Sequence, residues 1–535
     1  MNSLSPIIVL IVINLLFVIV PLFTNDVGVT AEPKVYEYKF HLSKIELAPD
    51  GFKKLVSAVN GQYPGPPIQV CKGDRVIVHV ENCLGEPTSM HWHGIFQYNT
   101  PWYDGVVGQT QHVIPDKCTF TYDFKVDHQS GSYWYHSHHR GQYMDGVLGP
   151  LIVYDDDDFD KKTYGYDEDM IVLITDWYHD HSANLFKWYM SPESKGAEPV
   201  PDNALINGKN NYNCDWAPKG SECVCDSELA KFVFKKDCKY RMRIINTSGL
   251  SSFTFSIDDH DMKVIEVEGA KTKPYKIKQL SLSVAQRYSV IVDANQPCSN
   301  YWMRIKFQKS YHHHKLAMDN KAIISYEGAS HEYPTSSPCT DKVEKYLEFY
   351  LKPLVPCVPP KCDKLLVFDV EFKKDSKGIT RSYVNGSSYI ADEEYPTLKK
   401  VYDGVHEFSR CENIYQLHKK GEVIDVVFIN KDYREHPFHL HGHSFWILGW
   451  GKDDGKFESW YKKLNTFDPI QRDTSTLPEY GWIWLRFTAD NPGIWGCHCH
   501  IEWHLGAGLL VQFLELPKDL KEMEAPKSWW DLFPK

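Results

Sequence analysis

The segment Gly496-Cys497-His498-Cys499-His500-Ile501-Glu502-Trp503-His504 places a cysteine between two histidines near the end of the chain. In a strand, successive side chains point to opposite faces, so His498 and His500 would lie on one face and Cys499 on the other. If Cys499 binds one metal ion and the histidines bind others, a single residue of backbone joins two metal sites. A soft thiolate with imidazoles suits copper. The segment therefore predicts an electron-transfer path between copper sites.

Three further histidine clusters complete a possible ligand set: His91-Trp92-His93, His136-Ser137-His138 and His436-Pro437-Phe438-His439-Leu440-His441. Together with the first segment they supply ten histidines and one cysteine. A single H-x-H pair is more often a solvated surface pair than a metal site, and structural zinc prefers cysteine-rich quartets. Four clusters, two near each end of the chain, make a chance arrangement a poor explanation.

With these motifs the chain resembles the blue multicopper oxidases, which include laccases, ascorbate oxidases and ferroxidases. The resemblance implies an all-β fold of three cupredoxin-like Greek-key β-sandwich domains and four bound copper ions. It also implies one type 1 copper held by His436, Cys499 and His504, with Leu509 at the axial position. The implied trinuclear cluster has His91 and His439 on its type 2 copper, and on its type 3 pair His93, His136, His138, His441, His498 and His500.

The chain repeats one local pattern three times, a turn followed by a strand that ends in asparagine. The terminal residues are Asn82, Asn246 and Asn430, which are separated by 164 and 184 residues. An Asn-Gly turn precedes each copy, and helical periodicity is scarce. These spacings predict three β-sandwich domains, and composition places them at residues 32–158, 159–345 and 346–535.

The repeat also predicts where copper binds. His91 follows Asn82 by nine residues and His436 follows Asn430 by six, whereas the equivalent stretch of the middle repeat contains no histidine. We therefore expect the middle domain to be a spacer that holds the outer two together. The trinuclear site should lie at the seam between domains one and three, because each supplies half of its ligands.

Length and charge restrict the class of protein. A chain of 535 residues should form several domains, since single cores rarely grow beyond about 250–300 residues. The net charge of −11, without a basic block, argues against binding nucleic acid.

The first residues resemble an export signal. Residues 6–23 form an apolar run, and Val29-Thr30-Ala31 offers small residues at a spacing suited to signal-peptide cleavage. We expect residues 1–31 to be a cleaved signal peptide and the chain to be secreted. An uncleaved anchor is the alternative, because the run approaches the length of a membrane span.

The cysteines and two sequons fit the same route. Fourteen cysteines suggest disulfides formed in an oxidising compartment. With Cys499 assigned as a ligand an odd number remains, and Cys497 on the same strand is the candidate unpaired thiol. The sequons at Asn246 and Asn385 predict a glycoprotein, and the second is better placed in a loop.

Two acidic residues match positions that the family uses as proton relays, Glu502 and Asp104. A general acid must lie within hydrogen-bond reach of the group it serves, directly or through a water. For Asp104, a turn residue before Gly105 is a nearly equal alternative.

The substrate is harder to predict. The chain looks closest to fungal ferroxidases and laccases, for example in Asp176-Trp177-Tyr178-His179-Asp180 and Gly196-Ala197-Glu198-Pro199. Ferroxidases hold Fe(II) with carboxylates hydrogen-bonded to the type 1 histidines. Asp432 matches one such acid, and Asp176 stands in place of the ferroxidase glutamate, as in laccases. We expect laccase-like oxidation of phenols or aryl amines with O₂ as acceptor, with oxidation of Fe(II) as the alternative.

A protein of the same fold that no longer turns over, in copper binding or in a cell wall, is the third possibility. Such relatives lose ligands, and none is lost here, so the sequence favours an enzyme. Nothing in the sequence indicates an obligate protein partner.

Overall fold

A computed structural model describes residues 33–309 and 315–534. The predicted signal peptide lies outside the described residues. Within them the strands form six sheets, arranged as three consecutive pairs along the chain.

The first pair of sheets has strand orders β2-β1-β4-β6 and β3-β8-β7-β5. Its strands are β1 (Val35–Leu47), β2 (Lys54–Val59), β3 (Ile68–Cys71), β4 (Arg75–Cys83), β5 (His91–His93), β6 (Thr119–Lys125), β7 (Gly131–His136) and β8 (Leu148–Tyr154).

The second pair has a six-stranded and a five-stranded sheet, ordered β10-β9-β12-β17-β14-β15 and β11-β19-β18-β13-β16. Its strands are β9 (Glu168–Trp177), β10 (Asn203–Ile206), β11 (Lys231–Phe234), β12 (Lys239–Asn246), β13 (Phe253–Ile257), β14 (Met262–Val267), β15 (Ala270–Ile277), β16 (Gln279–Leu282), β17 (Arg287–Asp293), β18 (Asn300–Phe307) and β19 (Asp319–Tyr326).

The third pair has the same strand counts as the second, in the orders β21-β20-β23-β28-β25-β26 and β22-β30-β29-β24-β27. Its strands are β20 (Lys364–Lys374), β21 (Thr380–Val384), β22 (Ile414–Leu417), β23 (Glu422–Asn430), β24 (His436–Leu440), β25 (Phe445–Lys452), β26 (Gln471–Arg472), β27 (Thr474–Leu477), β28 (Gly481–Ala489), β29 (Gly493–Cys499) and β30 (Leu510–Glu515).

Helices are short and lie in the connections. The α-helices are α1 (Phe159–Tyr164), α2 (Ser182–Tyr189), α3 (Thr397–Tyr402), α4 (Phe457–Tyr461), α5 (Glu502–Gly506), α6 (Pro517–Glu522) and α7 (Lys527–Trp530). Single 3₁₀ turns occur at Pro101–Tyr103, Gln142–Asp145, Asp156–Asp158, Pro192–Ser194, Cys214–Trp216, Leu347–Phe349 and Arg410–Glu412. No helix in the described part of the chain is long and apolar enough to cross a membrane.

The threefold repeat has a common hydrogen-bond pattern. Asn246 and Asn430 are the last residues of β12 and β23, and Asn82 is the last but one of β4. Each accepts a bond at Oδ1 from the backbone N–H two residues later, at 2.9–3.1 Å. In every copy, Nδ2 donates to two backbone carbonyl groups, one just downstream and one on a distant segment. The asparagine therefore ties the strand end to a neighbouring loop, and no apolar residue can replace it.

The Asn-Gly turns are equivalent as well. Asn60, Asn207 and Asn385 have φ between 47° and 53°, in the left-handed region that asparagine tolerates. The glycine that follows each also has positive φ. In each copy the asparagine side chain bonds to the first strand of its repeat. The three sequence repeats therefore form the same turn with the same side-chain hydrogen bonds.

The predicted all-β fold is confirmed. The sheet pairs lie within residues 32–158, 159–345 and 346–535, and these domain boundaries remain predictions. Asp156, Asp157 and Asp158 make an exposed 3₁₀ turn after β8.

The structure supports some of the expectations for the cysteines and sequons and contradicts the one for Asn246. Within the described residues, one disulfide joins Cys214 to Cys223. Cys497 is buried and forms no disulfide. The sequon at Asn246 is not available for glycosylation in the folded chain, because this side chain is buried and fully hydrogen-bonded. Asn385 lies in an exposed turn.

Candidate metal centre

Cys499 ends β29 and lies beside two histidines from other segments. Its Sγ is 3.7 Å from Nδ1 of His436 and 3.4 Å from Nδ1 of His504. The two Nδ1 atoms are 3.0 Å apart, and all three side chains are buried. One sulfur and two imidazole nitrogens thus converge on a single point.

The neighbours of Cys499 meet different partners, as strand alternation predicts. Nε2 of His498 lies 3.0 Å from Nε2 of His441, and Nε2 of His500 lies 3.2 Å from Nδ1 of His93. Three histidine groups result, each with ligand atoms within 4.8 Å of one another: His138, His441 and His498; His93, His136 and His500; and His91, His93 and His439.

The two halves of this histidine cluster come from opposite ends of the chain. In the first pair of sheets, His91 pairs with His136 across β5 and β7. In the third pair, His439 pairs with His498 across β24 and β29. The rings of His91 and His439 are 6.2 Å apart, so the predicted seam is formed.

Backbone carbonyl groups orient the rings. Nδ1 of His91 bonds to the carbonyl of Asp104 at 2.6 Å, and Nδ1 of His136 bonds to that of Ser137 at 2.9 Å. A carbonyl that accepts from Nδ1–H fixes the tautomer and leaves Nε2 as a free lone pair. Nε2 of both residues, and of His439, is buried without a hydrogen-bond partner among the described residues. Buried orphan nitrogens that face one another fit a metal centre.

Burial also keeps the imidazoles neutral, which is the form that binds a metal. Desolvation lowers the pKa of His436 and His439, and lowers that of His504 to about 3. The pKa is lowered well below its usual value in His93, His136, His138, His441, His498 and His500, again chiefly by burial. Burial raises the pKa of the Cys499 thiol, so this sulfur needs a bound cation to act as a thiolate.

The Asp104 carboxylate contacts the Nδ1 atoms of two of the histidines. Its Oδ2 is 2.9 Å from Nδ1 of His441, and Oδ1 is 3.3 Å from Nδ1 of His91. Burial alone would raise the pKa of Asp104, but the two histidines outweigh it and hold the pKa well below its usual range. This residue is therefore an ionised partner of the cluster as well as the residue before the Gly105 turn.

Glu502 begins α5 and faces a cavity of about 700 Å³ that reaches the histidine cluster. The cavity is also lined by His136, His138, His498 and His500. Burial raises the pKa of Glu502 to about 7, although Tyr143 and the Gly141 N–H hydrogen-bond to it. A carboxyl group with this pKa can hold or release a proton near neutral pH.

Two carboxylates contact the outer nitrogens of the Cys499 site. Oε1 of Glu198 is 2.6 Å from Nε2 of His504, and Oδ2 of Asp432 is 3.5 Å from Nε2 of His436. Asp432 is thus where the sequence placed it. The sequence patterns give Glu198 no role of its own. The motif Gly196-Ala197-Glu198-Pro199, typical of the family branch, is the signal that points to it.

Asp176 does not occupy the predicted place near the Cys499 site. Its carboxylate is buried and accepts the backbone N–H groups of Gly249, Leu250 and Ser251 at 2.8–3.0 Å. Asp176 therefore braces a loop of the middle sheets. The carboxylate on His504 comes instead from Glu198, which is 22 positions further along the chain.

Leu509 is fully buried, and its backbone carbonyl accepts the Cys499 N–H at 3.2 Å. Its side chain offers no ligand atom.

All eleven predicted ligands lie in two adjacent groups, one around Cys499 and one formed by the other eight histidines. Which metal ion each ligand binds stays a prediction.

Known proteins are similar to this chain in sequence and fold. Three family profiles, each described as multicopper oxidase, match residues 41–158, 168–329 and 382–519. Laccase-1 of Cryptococcus neoformans var. neoformans is 34% identical over 95% of this chain and 85% of its own length. The iron transport multicopper oxidase fio1 of Schizosaccharomyces pombe is 33% identical over 93% of this chain and 79% of its own length.

Two solved structures give the same result. The laccase of Botrytis aclada has a TM-score of 0.84 at 31% identity, covering 94% of this chain and 92% of its own. Fet3p, described as a multicopper oxidase that functions in iron import, has a TM-score of 0.82 at 31% identity, covering 93% of this chain and 94% of its own.

The new position of Asp176 gives a testable prediction. Asp176→Ala leaves three buried N–H groups without acceptors, at a cost of about 1–3 kcal/mol each. We expect a lower unfolding midpoint in urea but an unchanged KM for Fe(II) and for phenols. Asp176→Asn, which keeps one acceptor oxygen, should lose less stability. A raised KM for Fe(II) in the folded variant would contradict this placement.

Proposed function

Because this chain belongs to the multicopper oxidase family, we propose that it is a laccase-like oxidase of phenols or aryl amines. Enzymes of the family bind four copper ions, one of type 1, one of type 2 and two of type 3. For a phenol the balanced reaction is 4 ArOH + O₂ → 4 ArO• + 2 H₂O. The observation that carries this proposal is that the Glu198 carboxylate on the outer nitrogen of His504 is paired with the cations Lys309 and Arg434.

We assign the copper ligands as the resemblance implies. His436, Cys499 and His504 would hold the type 1 copper, and His91 and His439 the type 2 copper. The type 3 pair would be held by His93, His136, His138, His441, His498 and His500. When bound, copper supplies single-electron acceptance at the first site and four-electron reduction of dioxygen at the second.

The electron path follows from the fold. Cys499 is joined to His498 and His500 by one peptide unit on either side, and these three side chains belong to different ligand groups. The protein thus provides a covalent link between the two sites within a single strand end. No other described segment connects the groups so directly.

At the point where electrons enter, Glu198 can take the proton that the substrate must lose. Loss of an electron makes a phenol a much stronger acid, so even a weakly basic carboxylate can accept its proton. Burial alone would raise the pKa of Glu198, but the hydrogen bond from His504 and the charges of Lys309 and Arg434 hold it well below its usual range. Glu198 therefore stays ionised and available as an acceptor.

The charges around this entry point favour a neutral substrate. Arg434 donates to Asp432 at 2.5 Å and to Glu198 at 3.2 Å, and Lys309 lies 3.2 Å from Glu198. Two carboxylates are thus matched by two cations. A pair of neutralised carboxylates attracts Fe²⁺ less than a free pair would.

Oxidation of Fe(II) is the second candidate, because a specific contact favours it. Both type 1 histidines carry a carboxylate, Glu198 on His504 and Asp432 on His436. Oxygen ligands of this kind can bind Fe²⁺ as a substrate. Similarity to the iron transport oxidase fio1 and to Fet3p supports this alternative.

Protons for dioxygen reduction would come from the other side of the cluster. Glu502 faces the cavity that reaches His138 and His498, and it is the carboxyl group whose pKa is raised to about 7. Asp104 is held ionised beside His441, where it can stabilise positive charge. We propose Glu502 as the proton donor and Asp104 as the residue that fixes the ring of His441.

We also propose that the protein is secreted and glycosylated at Asn385. The apolar run at residues 6–23, the disulfide between Cys214 and Cys223, and the exposed Asn385 turn support this.

A copper-binding protein without oxidase activity is disfavoured, because every predicted copper ligand is present. Oxygen uptake by the copper-loaded protein with a phenol would separate an enzyme from a storage protein.

The proposed function makes three predictions, of which the first concerns the Cys499 thiolate. Cys499→Ser should abolish the blue absorption and phenol oxidation, because a hydroxyl does not replace a thiolate on copper, and it should leave the trinuclear copper bound. Cys497→Ser is the matched control, since this buried cysteine lies on the same strand outside the ligand groups. Blue absorption that persists in Cys499→Ser would reject the assignment.

The second prediction tests Glu198. Glu198→Gln should lower kcat/KM for a phenol by about 100-fold, the lower end of the range for a general base. Ferrocyanide, which loses no proton, should be oxidised at nearly the original rate. Glu193→Gln, on the same loop but exposed, is the control. A larger loss for Fe(II) than for the phenol would support the ferroxidase candidate instead.

The third prediction concerns Glu502. Glu502→Gln should slow reoxidation of the reduced enzyme by O₂ about 100-fold or more, because the amide cannot donate the proton. Anaerobic reduction of the blue copper by a phenol should be unaffected. Stopped-flow absorbance follows both steps. Equal slowing of both would show that Glu502 supports the fold and is not a proton donor.

A further inference from the structure

The middle domain contributes no predicted copper ligand, yet one of its side chains reaches the trinuclear site. Arg287 begins β17, is fully buried, and bonds to both oxygens of Asp473 at 2.7 and 2.5 Å. Its Nε donates to the carbonyl of Ser132 at 3.0 Å, and Nη1 donates to that of Ala285 at 3.1 Å. Arg287 therefore joins all three sheet pairs at one point.

Its partner Asp473 touches two histidines of the cluster. Oδ1 of Asp473 lies 3.3 Å from Nδ1 of His439 and 3.4 Å from Nε2 of His93. The Asp473 carbonyl is 3.0 Å from the same Nδ1 of His439. The two imidazole rings stack with centroids 3.8 Å apart, so any movement of Asp473 acts on both.

A second group from the middle domain holds the same segment. Oε2 of Glu268 accepts the backbone N–H groups of Asp473 and Thr474, both at 2.9 Å, and the carboxylate also pairs with Arg472. Glu268 and Arg472 are both fully buried. The segment that ends beside His439 is thus fixed from the middle domain by backbone and side-chain bonds.

We propose that Arg287 is a positioning residue for the trinuclear centre, acting through Asp473 on His439 and His93. The inference rests on the proposed assignment of His439 to the type 2 copper. The reason is geometric, because the planar guanidinium fork holds both carboxylate oxygens and so fixes their direction. Without it, Asp473 is a buried carboxylate with no matching cation, and it must turn or protonate. Partners of this kind to metal-binding histidines commonly change metal affinity by about 10–100-fold.

A general role in stability is the competing explanation, and the chain offers a matched control. Arg241 is equally buried in the middle domain and pairs with Asp160 and Glu266. Within the described residues, its hydrogen bonds go to Asp160, Tyr166 and Glu266 and to no histidine of the cluster. Arg241→Gln therefore removes a buried guanidinium of the same kind from a place that does not touch the cluster.

The test uses full-length, copper-loaded protein of both variants. The type 2 copper is followed by its EPR signal during titration with a chelator, and the type 1 copper by its blue absorption. Arg287→Gln should release type 2 copper at a chelator concentration about 10–100-fold lower than the unmodified protein does. The blue absorption per chain should stay constant. Arg241→Gln should retain both coppers, even if it unfolds at a lower temperature.

Several outcomes would overturn the proposal. They are type 2 retention equal to that of the unmodified protein, parallel loss of both coppers, or the same loss in Arg241→Gln. If Arg287→Gln does not fold, Arg287→Lys keeps the charge without the fork and should show a smaller loss; full retention there would also count against it. Because the measurement is metal retention, a failure of the laccase proposal would appear separately, as intact copper without phenol oxidation.

Discussion

The structure depends on imidazole nitrogens that are buried and face one another. Burying these nitrogens costs free energy, because each has lost its hydrogen bonds to water. A metal ion that accepts their lone pairs would offset this cost. The carbonyl groups of Asp104 and Ser137 make it possible by fixing the opposite nitrogens of His91 and His136. The residue after the Pro101–Tyr103 turn and the residue after β7 supply these carbonyl groups, so a rigid backbone at both places suits this centre.

Much of this could be read from the sequence. The ligand clusters and the alternation around Cys499 depend on local spacing alone. The threefold repeat was visible because Asn82, Asn246 and Asn430 each need the same set of hydrogen bonds, so the residue type recurs wherever the strand end recurs. Turns, strand ends and the alternation of side chains can thus be predicted, because each depends on residues close together in the sequence.

Sequence patterns do not predict contacts between distant segments. Asp176 and Glu198 both lie in motifs typical of one family branch, and sequence spacing does not tell which of them faces His504. Asp176 is occupied by three backbone N–H groups, which no sequence pattern reveals. The contact of Arg287 with Asp473 spans 186 positions and likewise has no local signal.

The same reasoning changes the view of the middle domain. The stretch that follows Asn246 has no histidine, so the sequence predicts no copper ligand there, but the interpretation of this domain as a spacer leaves out two of its contacts. Glu198, from this domain, contacts His504, and Arg287 pairs with Asp473, which lies beside His439 and His93. Both contacts are between charged or polar side chains that lie just outside the predicted ligands. A domain without predicted ligands therefore still orients groups beside both histidine sites.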